Sequence, residues 1–244
     1  MRRLAEAPEL LDGPLTDERL LDGNLRDLAR VNRRFGGTSL SLRALRALVE
    51  RAQAPGGQMD GQAGALRLLD VGTGAGDIPL ALSRASGPWP EILVTAVDSR
   101  PEVIAAAGRV TPALRNSARV ALAVADGEAL PFTDEAFDVA HASLVLHHLE
   151  PTAAVRFLGE LARVARLGVI VNDLARGTLS WLGAWVVLHA MTRNRYTVHD
   201  GPLSVRRSYT AAEAAGLLAE AGLRPVAELH GVAGHRWALA AVRT

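Results

Sequence analysis

The chain has 244 residues, of which 49% are hydrophobic and 22% charged, a balance that fits one ordinary globular domain with a modest appendage and excludes a disordered or collagen-like chain. All 27 basic residues are Arg, set against 26 acids for a net charge of +1, and there is no Lys and no Cys. That excludes Schiff-base and pyridoxal-phosphate chemistry, a Walker-A lysine, disulfides, a thiolate nucleophile and Cys-ligated metal or iron–sulfur sites, and it gives no large electrostatic footprint for nucleic acid.

The N-terminal stretch MRRLAEAPELLDG carries Glu6, Pro8, Glu9 and Asp12 where a signal peptide needs an unbroken apolar core. The most apolar run, Leu179 to Met191, is 13 residues long and contains His189, short of the roughly 20 that cross a bilayer. The expectation is a cytoplasmic protein without stable membrane insertion. Residues 1–65 read as a helical N-terminal cap and linker. One helix begins near Thr16 with Asp17 and Glu18 in its first turn, a second spans Leu40 to Ala52, and Pro55 to Gly64 is a flexible connection.

From Leu66 to the C-terminus, short runs rich in Val, Ile and Leu alternate with helical patterns, the mark of an α/β domain with a mostly parallel sheet. Strands are predicted at Leu66–Val71, Ile92–Val97, Arg119–Val124, Phe137–Ser143 and Leu167–Asn172. The fifth follows a helix bearing Val155, Leu158, Ala162 and Ala165 at spacings of three or four, with Gly168 closing the helix. Residues 173–209 form an insert too long for a plain connection, expected to fold as a helical lid over the sheet's edge. Thr210 to Glu213 reads as a capping box, and the helix it opens stops at Gly222. Pro225–His230 and Trp237–Val242 then form a hairpin, giving about seven strands with one reversed.

The first strand runs into Gly72-Thr73-Gly74-Ala75-Gly76-Asp77, so three glycines stand at a strand-to-helix turn where backbone can approach a ligand. The spacing G-x-G-x-G and Asp70 just before it disfavour a dinucleotide's pyrophosphate, which a nicotinamide-dependent oxidoreductase would hold there. An acid suits instead a cationic ligand such as the ammonium and sulfonium of S-adenosylmethionine. Asp98 ends the second strand 22 residues after Gly76, the distance at which a Rossmann-like unit presents a carboxylate to ribose hydroxyls. Asp126 and the backbone amides around Gly127 follow the third strand and can face an adenine.

With LLDVGTGAGD, AVDSRPEVI, VADGEALPF and FDVAHASLVLHHL in this order between Leu66 and Asp173, the chain resembles the class I S-adenosylmethionine-dependent methyltransferases. Within that class it is most similar to those of menaquinone and ubiquinone biosynthesis and to relatives that modify polyketide-derived phenols. The resemblance implies a Rossmann-like seven-stranded sheet of order 3-2-1-4-5-7-6 with strand seven antiparallel. It implies S-adenosylmethionine as cofactor, with Gly72, Gly74 and Gly76 along its methionyl part, Asp98 on the ribose, Asp126 at the adenine and Asp70 near the amino end. Leu25 to Gly37 looks like the N-terminal element of those relatives, and Arg34 is then a partner for the methionyl carboxylate or the substrate.

Methyl transfer to a hydroxyl or carbon acid needs alignment and a proton acceptor. The candidates are His147 and His148 after the fourth strand, of which at most one can face the site, and His199 in the insert. Asn172 and Asp173 end the fifth strand, where a polar acceptor could be held, and Trp181 and Trp185 could wall a pocket for a small hydrophobic aromatic substrate or touch a membrane surface. His141-Ala142-Ser143 stands where metal-dependent catechol methyltransferases place an acid, so no metal is expected. No motif for a flipped base is present, so no nucleic-acid substrate is expected either. A homodimer is compatible with this reading. The alternatives are a catalytically silent S-adenosylmethionine-binding partner subunit and, least favoured, the oxidoreductase.

Overall fold

The computed structural model describes residues 1–4, 7–59, 64–89 and 91–244; Glu6 and most of the C-terminal half of the expected linker, residues 60–63, lie outside them. A 3-10 turn at Leu10–Asp12 precedes α1 (Glu18–Arg34) and α2 (Gly37–Gln53). There follow β1 (Leu66–Val71), α3 (Asp77–Ser83), β2 (Ile92–Asp98), α4 (Pro101–Val110), β3 (Val120–Val124), β4 (Phe137–Ser143) and a 3-10 turn at Leu146–His148. The chain ends with α5 (Pro151–Val164), β5 (Ala165–Leu174), α6 (Thr178–Met191), α7 (Arg195–Arg207), α8 (Ala211–Glu220), β6 (Leu223–His230) and β7 (Arg236–Arg243). The strands form one sheet in the order β3-β2-β1-β4-β5-β7-β6. β1 to β5 are parallel, and β7 runs antiparallel to both β5 and β6. This is the seven-stranded Rossmann-like arrangement expected above.

Alternation along the strands sends side chains to opposite faces, and both faces are covered. Leu69, Val71, Ala140, Ala142, Val169 and Val171 pack with Phe157, Leu158 and Leu161 of α5 and Leu217 and Leu218 of α8. Leu66, Leu68, Ile92, Val94, Val139 and Ile170 pack with Ile78 and Leu82 of α3 and with Leu40, Leu45, Leu48 and Val49 of α2. The α2 helix therefore covers the sheet, against β5, β6 and β7, and α1 alone has the character of a cap. Asp17 starts α1 by accepting hydrogen bonds from the Arg19 and Leu20 amides, and Leu21 and Leu25 pack with Val103 and Ala106 of α4.

Two expectations are corrected. Gly168 does not close the helix: α5 passes directly into β5 at Ala165, and Gly168 sits inside β5 at φ +154° where the register with β4 shifts. A Cβ there would come within 2.4 Å of the Ala241 carbonyl oxygen, so glycine permits a bulge beside β7. The insert is helical, as α6 and α7, but it does not lie over the sheet's edge. The α7 helix packs on α1 and on the two 3-10 turns, which carries it over the carboxyl ends of the central strands. Asn194 opens it by accepting from the Tyr196 and Thr197 amides. The α6 helix packs on α7 and leaves Leu179, Leu182, Trp185 and Val186 exposed.

Candidate active site

All three glycines of the first loop have positive φ: +74° at Gly72, +53° at Gly74 and +69° at Gly76. Their duties differ. A Cβ at Gly72 would fall 2.3 Å from Val145 Cγ2 and one at Gly76 would fall 2.5 Å from Leu114 Cδ1, so these two permit close packing. At Gly74 nothing lies nearer than 3.9 Å, so this glycine faces open space. The space is a cavity of about 450 Å³ at the carboxyl ends of β1, β2 and β4, the place where open α/β sheets take ligands. Asp70, Gly72, Gly74, Asp77, Asp98, Asp126 and Gly127 line one side, and Leu21, Leu25, Leu28 and Asn32 of α1 roof it. Asp12, His148 and Leu149 line the far end, next to the N-terminal turn, while Leu11 and Val145 line the cavity beside Arg100 and Gly72.

Two of the carboxylates on the loop side, Asp98 and Asp126, are held by backbone. Asp98 accepts from the Gly74 amide at 3.3 Å and the Arg100 amide at 3.1 Å, while burial pushes its carboxyl above the ordinary aspartate range. Asp77 is raised by burial as well. Asp126 accepts from the Glu128 amide at 2.9 Å. Arg100 donates to the carbonyls of Leu11 and Gly13, tying the N-terminal turn across the cavity mouth.

Beneath the loop runs a buried polar network that sequence reasoning did not anticipate. Asp70 Oδ1 lies 2.6 Å from His141 Nδ1, and His141 Nε2 lies 2.8 Å from Ser41 Oγ. Ser41 accepts from Asn172, whose carbonyl accepts from Arg236. Arg236 also donates to Asn32 and Ser143, and the Asn32 amide reaches Asp77. The bonds run in one direction with a neutral imidazole, from Asn172 through Ser41 and His141 to Asp70. Arg236 is 1% exposed, and burial lowers its guanidinium to about 10 against the pull of Asp173 and Asp77. Asp70 thus reaches the cavity wall with one oxygen committed to His141. Asn172 is spent inside the network and does not line the cavity, so the expected role on a polar acceptor is not available to it. In the sequence, Asp70 and Asn172 stood out singly but nothing in their spacing joined them; Arg236 lies more than 150 residues beyond the glycine loop, on β7.

Of the adjacent histidines, one faces the cavity, and it is His148. His147 is buried behind it, with Nδ1 2.7 Å from Asp173 Oδ1 and its amide donating to Asp173 Oδ2. Asp173 therefore anchors His147 and does not line the cavity. Its burial would raise its carboxyl, but the His147 interactions outweigh that and hold it below the ordinary range. His148 Nδ1 lies 3.0 Å from Asp12 Oδ1. Burial alone would raise Asp12, yet hydrogen bonds to His148 and Arg207 hold it low. Glu9, also missed from sequence, is buried beside both rings, accepts from Ser204 Oγ at 2.9 Å, and is pushed up to about 7 by burial.

The remaining candidates fall elsewhere. Arg34 is exposed at the end of α1 and does not line the cavity; Asn32, on the inner face of the same helix, does. Trp181, Trp185 and His199 line a separate groove between α6 and α7. His199 pairs there with Asp200 at 2.7 Å. Among the described residues no helix is long and apolar enough to cross a membrane.

A family profile described as a methyltransferase domain matches residues 68–168, the segment that supplies the glycine loop, Asp70, Asp98 and Asp126. Over residues 68–168, less than half of its length, the chain is similar to that methyltransferase-domain family. The chain is 33% identical over 118 residues to the ubiquinone/menaquinone biosynthesis C-methyltransferase UbiE of Geobacter sp. (strain M21), covering 48% of each chain. The chain spans about half the length of the curated relatives it matches. Among solved structures, an O-methyltransferase family protein from Burkholderia thailandensis aligns over 94% of this chain and 61% of its own, with TM-score 0.65 and 15% identity. A SAM-dependent methyltransferase from Aquifex aeolicus aligns over 73% and 82%, with TM-score 0.55 and 22% identity. At these identities the solved structures establish the fold.

Proposed function

We propose that the chain transfers a methyl group from S-adenosylmethionine to oxygen, or to carbon, of a small apolar phenol or quinol held at the far end of the cavity. One observation carries the reading. The cavity's loop side presents Asp70, Asp77, Asp98 and Asp126 around an open, positive-φ glycine, and that side suits a cationic nucleoside and repels a diphosphate. The cradle fits the cofactor: Gly74 leaves room for the methionyl part, Asp98 takes the ribose hydroxyls and Asp126 with the Gly127 backbone takes the adenine. Bound there, the cofactor supplies an electrophilic methyl on a positive sulfur.

What the chain must add is alignment, exclusion of water and a place for the acceptor's proton. Leu21, Leu25 and Leu28 of α1, with Leu11 and Leu15, give the apolar roof. His148, oriented through Nδ1 by Asp12, is the histidine at the acceptor end and marks where a hydroxyl proton leaves. The curated relatives' name supports carbon as the alternative methylated atom. Calorimetry with S-adenosylhomocysteine and NADH tests the ligand class; tight binding of the first alone is expected, and binding of NADH alone overturns the reading. A panel of phenols and quinols with a labelled methyl donor tests the transfer, and the absence of label in every acceptor would leave a binding subunit instead.

A further inference from the structure

We propose that Glu9, His147 and His148 form a site for a divalent transition-metal ion of the zinc class, built where the N-terminal turn meets the end of β4 and opening on the cavity. The three side chains bring one ligand atom each within 4.8 Å of one another. His147 Nε2 stands 3.7 Å from Glu9 Oε1, and His148 Nε2 stands 3.9 Å from Glu9 Oε2. Those separations are too long for hydrogen bonds. They are about 0.4 and 0.6 Å wider than the roughly 3.3 Å edge of a tetrahedron of nitrogen and oxygen ligands about 2.0–2.1 Å from zinc, so binding an ion would draw the three side chains together.

The ring orientation is the stronger argument. Each imidazole has its Nδ1 against a carboxylate, His147 on Asp173 at 2.7 Å and His148 on Asp12 at 3.0 Å. Carboxylates placed so fix the Nδ1–H tautomer and leave the Nε2 lone pair outward, the arrangement found behind metal-bound histidines. Both Nε2 atoms stand 3.7 and 3.9 Å from the Glu9 carboxylate oxygens. Three acceptors facing one another repel unless a cation or a proton stands between them, and a metal ion meets all three at once where one proton serves only one pair. The neighbours do not fill that place: Ser204 donates to Glu9 Oε1 from the side, and the Arg207 guanidinium, 3.9 Å from Glu9, is spent on Asp12 at 2.7 Å. Two imidazoles and a carboxylate suit zinc, cobalt or iron in the divalent state better than magnesium or calcium.

An acid after β4, the usual sequence cue, is absent here, but the carboxylate arrives from Glu9, more than 130 residues upstream. Because His148 lines the cavity and Glu9 and His147 lie behind it, an open coordination position would face the acceptor end. Resting on the methyl-transfer reading, the site would then bind an acceptor oxygen and lower its pKa by coordination, so that His148 need not take the proton itself.

The test is direct metal binding by the chelator-treated full chain. Titration with Co²⁺ should give a visible d–d spectrum that saturates at one equivalent and is abolished by Zn²⁺. Glu9→Gln and His148→Ala should each weaken binding by at least about tenfold, and Asp12→Asn by about 10- to 100-fold, whereas His230→Ala on the exposed end of β6 should leave it unchanged. No saturable spectrum, or one retained in both His148→Ala and Glu9→Gln, overturns the site. His148 is partly exposed, so its variant keeps the test decisive even if Glu9→Gln fails to fold. S-adenosylhomocysteine calorimetry on the same metal-free sample separates the two proposals: nucleoside binding without metal binding sinks this one alone.

Discussion

The two ends of the cavity are built in different ways. The glycine-loop end comes from consecutive residues, 70 to 77, with Asp98 and Asp126 added at the tips of the next two strands, and it works through backbone geometry. The acceptor end is assembled from side chains of four separate stretches, residues 9–12, 147–148, 173 and 200–207, joined by hydrogen bonds such as Ser204 to Glu9 and His147 to Asp173. Backbone geometry imposes a residue type on a position and so shows in a sequence. A side-chain cluster requires only that polar groups find partners, and many sequences meet that requirement.

Variants at the two ends should therefore fail differently. The largest effect is expected beneath both, at Arg236. Replacing it by Met strands Asn172, Asn32 and Ser143 in a buried network and should cost about 3–5 kcal/mol in denaturant unfolding. Gly72→Ala comes next, because φ is +74° and the added Cβ meets Val145; about 2–4 kcal/mol of stability should be lost. A loss near zero would show that the loop yields and that backbone geometry is not the constraint.

At the acceptor end, His148→Ala should lower turnover by about 100-fold while the dissociation constant of S-adenosylhomocysteine stays the same. Equal losses in both would erase the division between the two ends. Asp98→Ala should show the reverse pattern, weakening the nucleoside by about 1–3 kcal/mol by calorimetry.

The smallest effect is one of pH. Burial raises Asp98 and Asp77, so as pH falls these groups take protons above the ordinary aspartate range. Nucleoside affinity should decline there. The empty protein should instead gain stability over the same interval, because a raised folded-state pKa favours folding when the group is protonated. Affinity and thermal stability moving together would contradict the assignment.

Much of the fold was legible because its signals are local. Short apolar runs rich in Val, Ile and Leu marked β1 to β5, Thr210 and Glu213 marked the start of α8, and Gly231 and Gly234 between β6 and β7 marked the hairpin. Gly168 misled because glycine ends helices and relieves bulges alike, and only the neighbouring Ala241 carbonyl tells which. Arg34 misled because adjacent helical positions differ by about 100°, and it is Asn32 that α1 turns inward. Trp181 and Trp185 line the groove between α6 and α7 and not the glycine-loop cavity, because an apolar residue in a lid can line a groove on either side of it.

Taken alone, the sequence determined the strands' local ingredients, the three-glycine turn and the carboxylates at the strand ends, since each depends on φ, on a short apolar run or on a position at or just past the end of a strand. The tertiary structure alone decided that His148 and not His147 meets the cavity, that Arg236 reaches under the loop from β7, and that Glu9 closes on two imidazoles. Those contacts join residues separated by 64 to 204 positions, and the packing of α1, α7 and the N-terminal turn over the sheet, rather than any spacing along the chain, sets which of them can touch.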